Sequence, residues 1–267
     1  MTRHIAFHCL LLLLSGSFGF ADLTYSTNFT GDEGFTRGPI DKSKQEAMPV
    51  FSEVGKVIGG LYFPASQGPD FGVLRRNPTS GGARAIHTKG EGASYKAGAT
   101  WTTRMRFTFE GAPAGLSNKK DALMLGGIGF TNSKSKVADL IYAGIQKNPT
   151  QDQNYQFYVF GNGGGGFFAQ NLSYDAVGDL VGNPDDLSDP LEVQITLTKA
   201  SRAGVFSFVA SLVNLEQGST LATLKGELTM PALNRADLYA YVSSGSVREA
   251  DNFDLFNLHA FSYEAKD

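Results

Sequence analysis

Apolar and polar side chains alternate along most of this chain. In Trp101-Thr-Thr-Arg-Met-Arg-Phe-Thr-Phe109, one face carries Trp101, Met105, Phe107 and Phe109. The other carries Thr102, Arg104, Arg106 and Thr108. A period of two is the signature of a strand with one buried and one wetted face. Residues 193–198 repeat it, and in 205–213 Phe206, Phe208, Ala210 and Leu212 share a side. Further strands are predicted at 23–29, 57–63, 83–88, 123–130, 140–146, 155–160, 167–173, 223–228, 238–243 and 253–263. Turn formers separate them: Gly59-Gly60, Gly81-Gly82, Asn148-Pro149, the glycines of 161–166 and Asn183-Pro184. Residues 43–46 and 138–142 each suit a short helical turn. About a dozen short strands without a sustained helical period predict an all-β fold, a two-sheet antiparallel β-sandwich. No repeat or charged linker divides it, so 22–267 is read as one domain.

The first 21 residues break the rhythm. Arg3 supplies positive charge, residues 5–14 an apolar run, and Gly19-Phe20-Ala21 small residues at a cleavage position. This is the anatomy of a signal peptide, and it predicts a secreted, periplasmic or cell-surface protein. The run is too short for a membrane span, and none is predicted in 22–267. Cys9, the one cysteine, leaves with this segment, as do Arg3, His4 and His8. What remains excludes disulfides, thiol catalysis and thiolate metal sites, and a hydrophobic core must hold the fold. His87 and His259 are too few for a three-histidine zinc site. The whole chain has 23 basic and 26 acidic residues, and losing Arg3 makes it slightly more acidic. That balance excludes nucleic acid as a partner.

Candidate chemistry lies on the polar strand faces. Arg104 and Arg106 point away from Trp101. Gln156 and Tyr158 oppose Tyr155 and Phe157, and Tyr239 and Tyr241 oppose Leu238 and Ala240. If these faces line one groove, they offer rings for sugar stacking and guanidinium groups for acidic sugars. If both faces are covered, the tyrosines pack and hydrate their hydroxyls. Trp101 reads as core, and His259 as a hydrogen-bonded structural residue. Gly161-Asn-Gly-Gly-Gly-Gly166 lacks the Lys-Ser/Thr of a phosphate loop and reads as a hairpin connection. Asp179, Asp185, Asp186, Asp189 and Glu192 crowd one stretch, where carboxylates suit either calcium or water.

Two segments resemble the concanavalin A-like lectin/glucanase superfamily of exported bacterial proteins. Leu23-Thr-Tyr-Ser-Thr-Asn-Phe29, with Gly31, Gly34 and Phe35, looks like its opening strand. Asp251-Asn-Phe-Asp-Leu-Phe-Asn-Leu258 looks like its closing strand. The resemblance implies a jelly roll whose first and last strands are neighbours. It also implies a structural calcium ion near Asp251 or Asp254. The superfamily's laminarinase-like E-x-D-x-E strand is not matched: Glu249-Ala-Asp251 is followed by Phe253. Of the alginate-lyase pattern, Tyr95-Lys-Ala-Gly98 is a misplaced echo, and Ala85-Ile86-His87 lacks the required Gln.

The expectation is a non-catalytic, lectin-like module that binds polysaccharide or cell-surface glycan. The alternatives are a polysaccharide-degrading enzyme, a lyase before a hydrolase, and a structural or adhesive surface protein.

Overall fold

The structure, a computed structural model, describes residues 23–27, 38–40, 55–58, 60–63, 72–75, 84–87, 96–109, 123–131, 141–147, 154–162, 165–178, 187–233, 238–244 and 255–267. Among the described residues, sixteen strands run in chain order. They are β1 (Leu23–Thr27), β2 (Gly38–Ile40), β3 (Gly55–Ile58), β4 (Gly60–Phe63), β5 (Gly72–Arg75), β6 (Arg84–His87), β7 (Thr100–Phe109) and β8 (Leu123–Thr131). Then follow β9 (Ile141–Lys147), β10 (Asn154–Gly161), β11 (Gly166–Ser173), β12 (Leu191–Lys199), β13 (Val205–Asn214), β14 (Ser219–Thr229), β15 (Tyr239–Ser244) and β16 (Leu255–Lys266). They form two antiparallel sheets.

The nine-stranded sheet has the order β14-β13-β12-β7-β16-β5-β4-β2, with β1 also on β16. The seven-stranded sheet has the order β11-β10-β9-β8-β15-β6-β3. One edge of β16 serves two short strands. Its first half pairs with β5 and its second half with β1, Leu23 opposite Ala265. The opening and closing strands are therefore neighbours.

Alternation becomes burial along β12, where every second residue from Leu191 to Lys199 is buried. Trp101, Met105, Phe107 and Phe109 enter the same core from β7, as do Phe208, Ala210 and Leu212 from β13. The seven-stranded sheet answers with Ile128, Phe130, Tyr155, Phe157 and Val159. Ring pairs bridge the layers. Phe109 meets Tyr155 edge-on at 5.6 Å, Phe168 meets Phe208 at 4.9 Å, and Phe130 lies 6.4 Å from Tyr263. The buried Tyr263 hydroxyl donates across the core to the Leu238 carbonyl at 3.1 Å. Lys199 is buried but satisfied, its Nζ donating to the Ala200 and Arg202 carbonyls at 2.8 and 2.7 Å.

The structure departs from the sequence expectation at a few places. Residues 57–63 are two strands rather than one, because the chain changes sheets between Ile58 and Gly60. β2 and β5, at three and four residues, are too short for a periodic pattern to register. Pro39 sits in β2, at the sheet margin where its missing donor is tolerated. The helical turn expected at 138–142 does not reach Ile141, which opens β9. Short 3-10 turns occur instead at Tyr174–Val177 and Pro231–Leu233. The predicted signal segment and the 43–46 turn lie outside the described residues. Among the described residues, no helix is long and apolar enough to cross a membrane.

Two stability measurements follow from the core. Tyr263→Phe keeps the ring and removes the inter-sheet hydrogen bond, so denaturant unfolding should show a loss of about 1–2 kcal/mol. His259 occupies the bulge between Leu258 and Ala260, with Nε2 3.2 Å from Thr108 Oγ1. Burial lowers its pKa below the ordinary value near 6.5. The unfolded chain thus binds the proton more readily than the fold does. This contribution to stability is complete above about pH 6.5 and is lost as pH falls through that value toward the lowered folded pKa. Melting temperatures between about pH 7 and 5 should show this slope, and His259→Gln should flatten it.

Candidate functional site

Pairing register turns the outer face of the seven-stranded sheet into a readable surface. Core-facing Tyr155, Phe157 and Val159 alternate along β10 with Gln156, Tyr158 and Phe160, which face outward. Opposite these on β9 lie Gln146, Gly144 and Tyr142. On β11 lie Asn171, Ala169 and Phe167. One strand further, on β8, Gly127 faces Gly144 and Gly129 faces Tyr142.

The glycines let a tyrosine lie flat. A Cβ at Gly144 would stand 2.4 Å from Tyr142 Cε1, and one at Gly127 would stand 2.8 Å from Tyr142 Cζ. The Tyr142 ring therefore spreads over the backbone of both strands. Tyr158 packs beside it at 5.6 Å, and Phe167 stacks on Tyr158 at 5.7 Å with 26° between planes. The tyrosines are buried, whereas Phe167 is 54% exposed and Phe160 36% exposed. The result is a stepped aromatic surface whose top rings face solvent.

Amides continue the face. Gln146 Nε2 donates to Gln156 Oε1 at 2.6 Å, and Gln156 Nε2 donates to Asn171 Oδ1 at 3.1 Å. This ladder crosses β9, β10 and β11 and holds the planar groups side by side. An amide both donates and accepts, as a sugar hydroxyl does, so a ladder of this kind matches a hydroxylated ligand.

The residues singled out from the sequence divide between the sheets. Gln156 and Tyr158 lie together on this face. Tyr239 lies on β15 of the same sheet, opposite Thr131, and is buried. Tyr241, two residues further along β15, pairs with Gly129 in the backbone register. Arg104 and Arg106 are on the other side of the sandwich, on the outer face of the nine-stranded sheet. There Arg104 Nε and Nη2 donate to Gln194 Oε1 at 2.9 and 2.6 Å, and Arg106 Nε donates to Glu192 Oε2 at 2.8 Å. Glu192 also lies 3.4 Å from Arg104, so one carboxylate serves both guanidinium groups. No single groove therefore holds the arginines with the β10 and β15 residues. Asp251 and Asp254 lie outside the described residues.

An open cleft of about 470 Å³ at one end of the sandwich is lined by Asp175, Gly178, Asp189, Glu216 and Gln217. Of its three carboxylates, that of Asp189 is tied down structurally. Buried Asn214 donates Nδ2 to Asp189 Oδ2 at 2.6 Å and to the Ala176 carbonyl at 3.1 Å, and Gln217 Nε2 adds a 3.3 Å contact. The cleft is a joint between the β13–β14 hairpin and the 174–177 turn. Among the described residues, no three His, Cys, Asp or Glu side chains gather closely enough to hold a metal ion.

No protein-family model matches the chain, and no curated protein matches it in sequence. Solved structures do match its architecture. The acidic lectin of winged bean, in complex with methyl-alpha-D-galactose, superposes with a TM-score of 0.55 at 9% identity, over 92% of this chain and 98% of that one. Lectin II from Ulex europaeus gives 0.52 at 12% identity, over 92% and 99%. The endo-1,3-beta-glucanase of Streptomyces sioyaensis gives 0.51 at 8% identity, over 94% and 98%. The chain has the concanavalin A-like jelly-roll fold, as the opening and closing strands implied.

The close approach of β8 to β9 makes a direct prediction. A Cβ at Gly129 would stand 2.0 Å from the Ile141 carbonyl oxygen, a backbone atom that cannot swing aside. Gly129→Ala should lower unfolding free energy by about 1–3 kcal/mol in denaturant titration, as overpacking does.

Proposed function

We propose that the chain is an exported, non-catalytic carbohydrate-binding module that holds polysaccharide or cell-surface glycan on the outer face of its seven-stranded sheet. One observation carries the reading: exposed Phe160 and Phe167 on the same face as the Gln156–Asn171 amide pair, which the buried Gln146 amide helps to fix. Sugar rings present an apolar face of C–H groups and an equatorial rim of hydroxyls. Aromatic rings take the first and amides the second. Rings and amides held by packing and by one another are already ordered, so little side-chain freedom is lost on binding.

The lectin fold of the structural neighbours, one of them holding a galactoside, supports the same reading. Fold likeness alone does not carry function, because a glucanase shares the architecture. A lyase reading needs an unengaged cation beside a tyrosine. Arg104 and Arg106 are instead engaged by Glu192 and Gln194, on the sheet opposite Tyr158. Export rests on the 1–21 segment.

The protein recovered from medium or periplasm should begin at Asp22 and bind saturably on a glycan array. Phe167→Ala should weaken that binding by about tenfold, the worth of one stacked ring, with the melting temperature unchanged. Silence of the array across neutral and acidic glycans would reject the reading.

A further inference from the structure

The two sheets end on the same side of the sandwich, in β11 and β14. Phe168 of β11 packs edge-on against Phe208 and over Gly226, where a Cβ would stand 2.6 Å from its ring. Gln170 Nε2 donates to the Leu221 carbonyl at 3.3 Å. These contacts seal the seam between the layers and hold β14 in place. β14 is 11 residues long and closes the nine-stranded sheet. Among the described residues it pairs with β13 and with no other strand. Its bulge, opposite Leu212 and Val213, lies toward the Ser219 end, so 222–229 keeps an unbroken register. An unpaired edge of this length is a template for a further strand, and it needs either an occupant or a guard.

The side chains along this edge select the occupant. Thr223, Lys225, Glu227 and Thr229 alternate on the outer face and are exposed. Ala222, Leu224, Gly226 and Leu228 turn toward the core. Lysine normally guards an edge, because two copies meeting there bring like charges together. Here opposite charges flank Gly226 symmetrically, which cancels the guard. Antiparallel pairing of two β14 strands about an axis through Gly226 sets Lys225 against Glu227, Glu227 against Lys225 and Thr223 against Thr229. Opposite charges and paired threonines are favourable cross-strand neighbours. On the inner side, Leu224, only half-buried at the open edge, comes opposite Leu228 of the second copy.

We infer that the chain forms a two-fold dimer by pairing β14 with the β14 of a second copy, which joins two nine-stranded sheets into one. The interface is isologous, so each Lys225–Glu227 contact occurs twice. It also fixes its own register. A slip of two residues either way keeps the faces but sets Lys225 against Lys225, or Glu227 against Glu227. Glu227 already holds Arg202 within the monomer. In the dimer its carboxylate serves two cations, as Glu192 does for Arg104 and Arg106. The two-fold axis stands normal to the sheet, so both seven-stranded outer faces turn the same way. On the carbohydrate-binding reading above, two sites then meet one glycan surface, where linked sites bind more tightly than either alone. The pairing itself does not depend on that reading.

Sedimentation equilibrium of the mature protein tests this, without sugar, across the micromolar range and at about 50 and about 500 mM salt. We expect a monomer–dimer equilibrium that weakens at the higher salt. Lys225→Glu and Glu227→Lys change exposed side chains and should leave the circular dichroism of the fold unchanged. Each should raise the dissociation constant at least about tenfold, because each sets like charges face to face twice. An equimolar mixture of the two variants should dimerise again, since each copy supplies the charge the other lacks. The double variant Lys225→Glu/Glu227→Lys exchanges the signs and should also restore the dimer. A monomer at every concentration would overturn the inference. So would a dimer that both single variants leave intact, or one that neither mixing nor the double variant restores. Silence of the glycan array would reject the carbohydrate reading and leave the dimer standing.

Discussion

Everything in this molecule depends on burying one apolar face of each sheet against the other. The sequence holds a single cysteine, Cys9, so no disulfide within it shares the work. Burial of apolar area contributes roughly 25 cal/mol per Å², and residues such as Trp101, Phe109, Phe130, Phe157 and Ile195 are almost entirely removed from water. This also dictates register. Sliding any strand by one residue would present its wet side to the core, so the pairing of β7, β12 and β13 has one workable solution. The edge-on contact of Phe109 with Tyr155 and the Tyr263 hydrogen bond to Leu238 fix how the two layers sit on each other.

Because the core is made by the inner faces, the outer faces are free to diverge, and they do. The nine-stranded face is a ladder of mutual satisfaction, with Thr102 against Thr196, Arg104 against Gln194 and Arg106 against Glu192. Its charges are spent on one another across neighbouring strands. The seven-stranded face instead sets rings on a glycine floor and amides in a row. Both faces have the same backbone underneath, so their difference lies wholly in the alternate residues that the core does not use.

Those alternate residues explain how much could be read in advance. Local periodicity was enough for the long strands, for the core placement of Trp101, and for the outward direction of Gln156, Tyr158 and Phe160. It was enough for the neighbouring of β1 and β16 only with the help of the resemblance. It could not join faces across strands, since whether Arg104 and Tyr158 meet depends on which sheet each strand enters. Tyr142, Gln146 and Asn171 were missed for that reason: each matters through its opposite number on β10. Phe167 was within reach, because the glycine hairpin sets it directly against Phe160. Short strands such as β2 leave no period to detect, and Asp251 and Asp254 lie outside the described residues.

The glycine floor has a cost. Glycine inside a strand costs about 0.5–1 kcal/mol relative to alanine, and here Gly127, Gly129 and Gly144 lie on adjacent strands. A sheet optimised for stability would place β-branched residues at these positions. What the glycines gain is the approach of β8 to β9 and a bed on which Tyr142 lies flat, with Tyr158 and Phe167 stepping up from it. The local sacrifice is repaid in packing: Tyr142 and Tyr158 are buried beneath Phe167, and only the uppermost rings reach solvent.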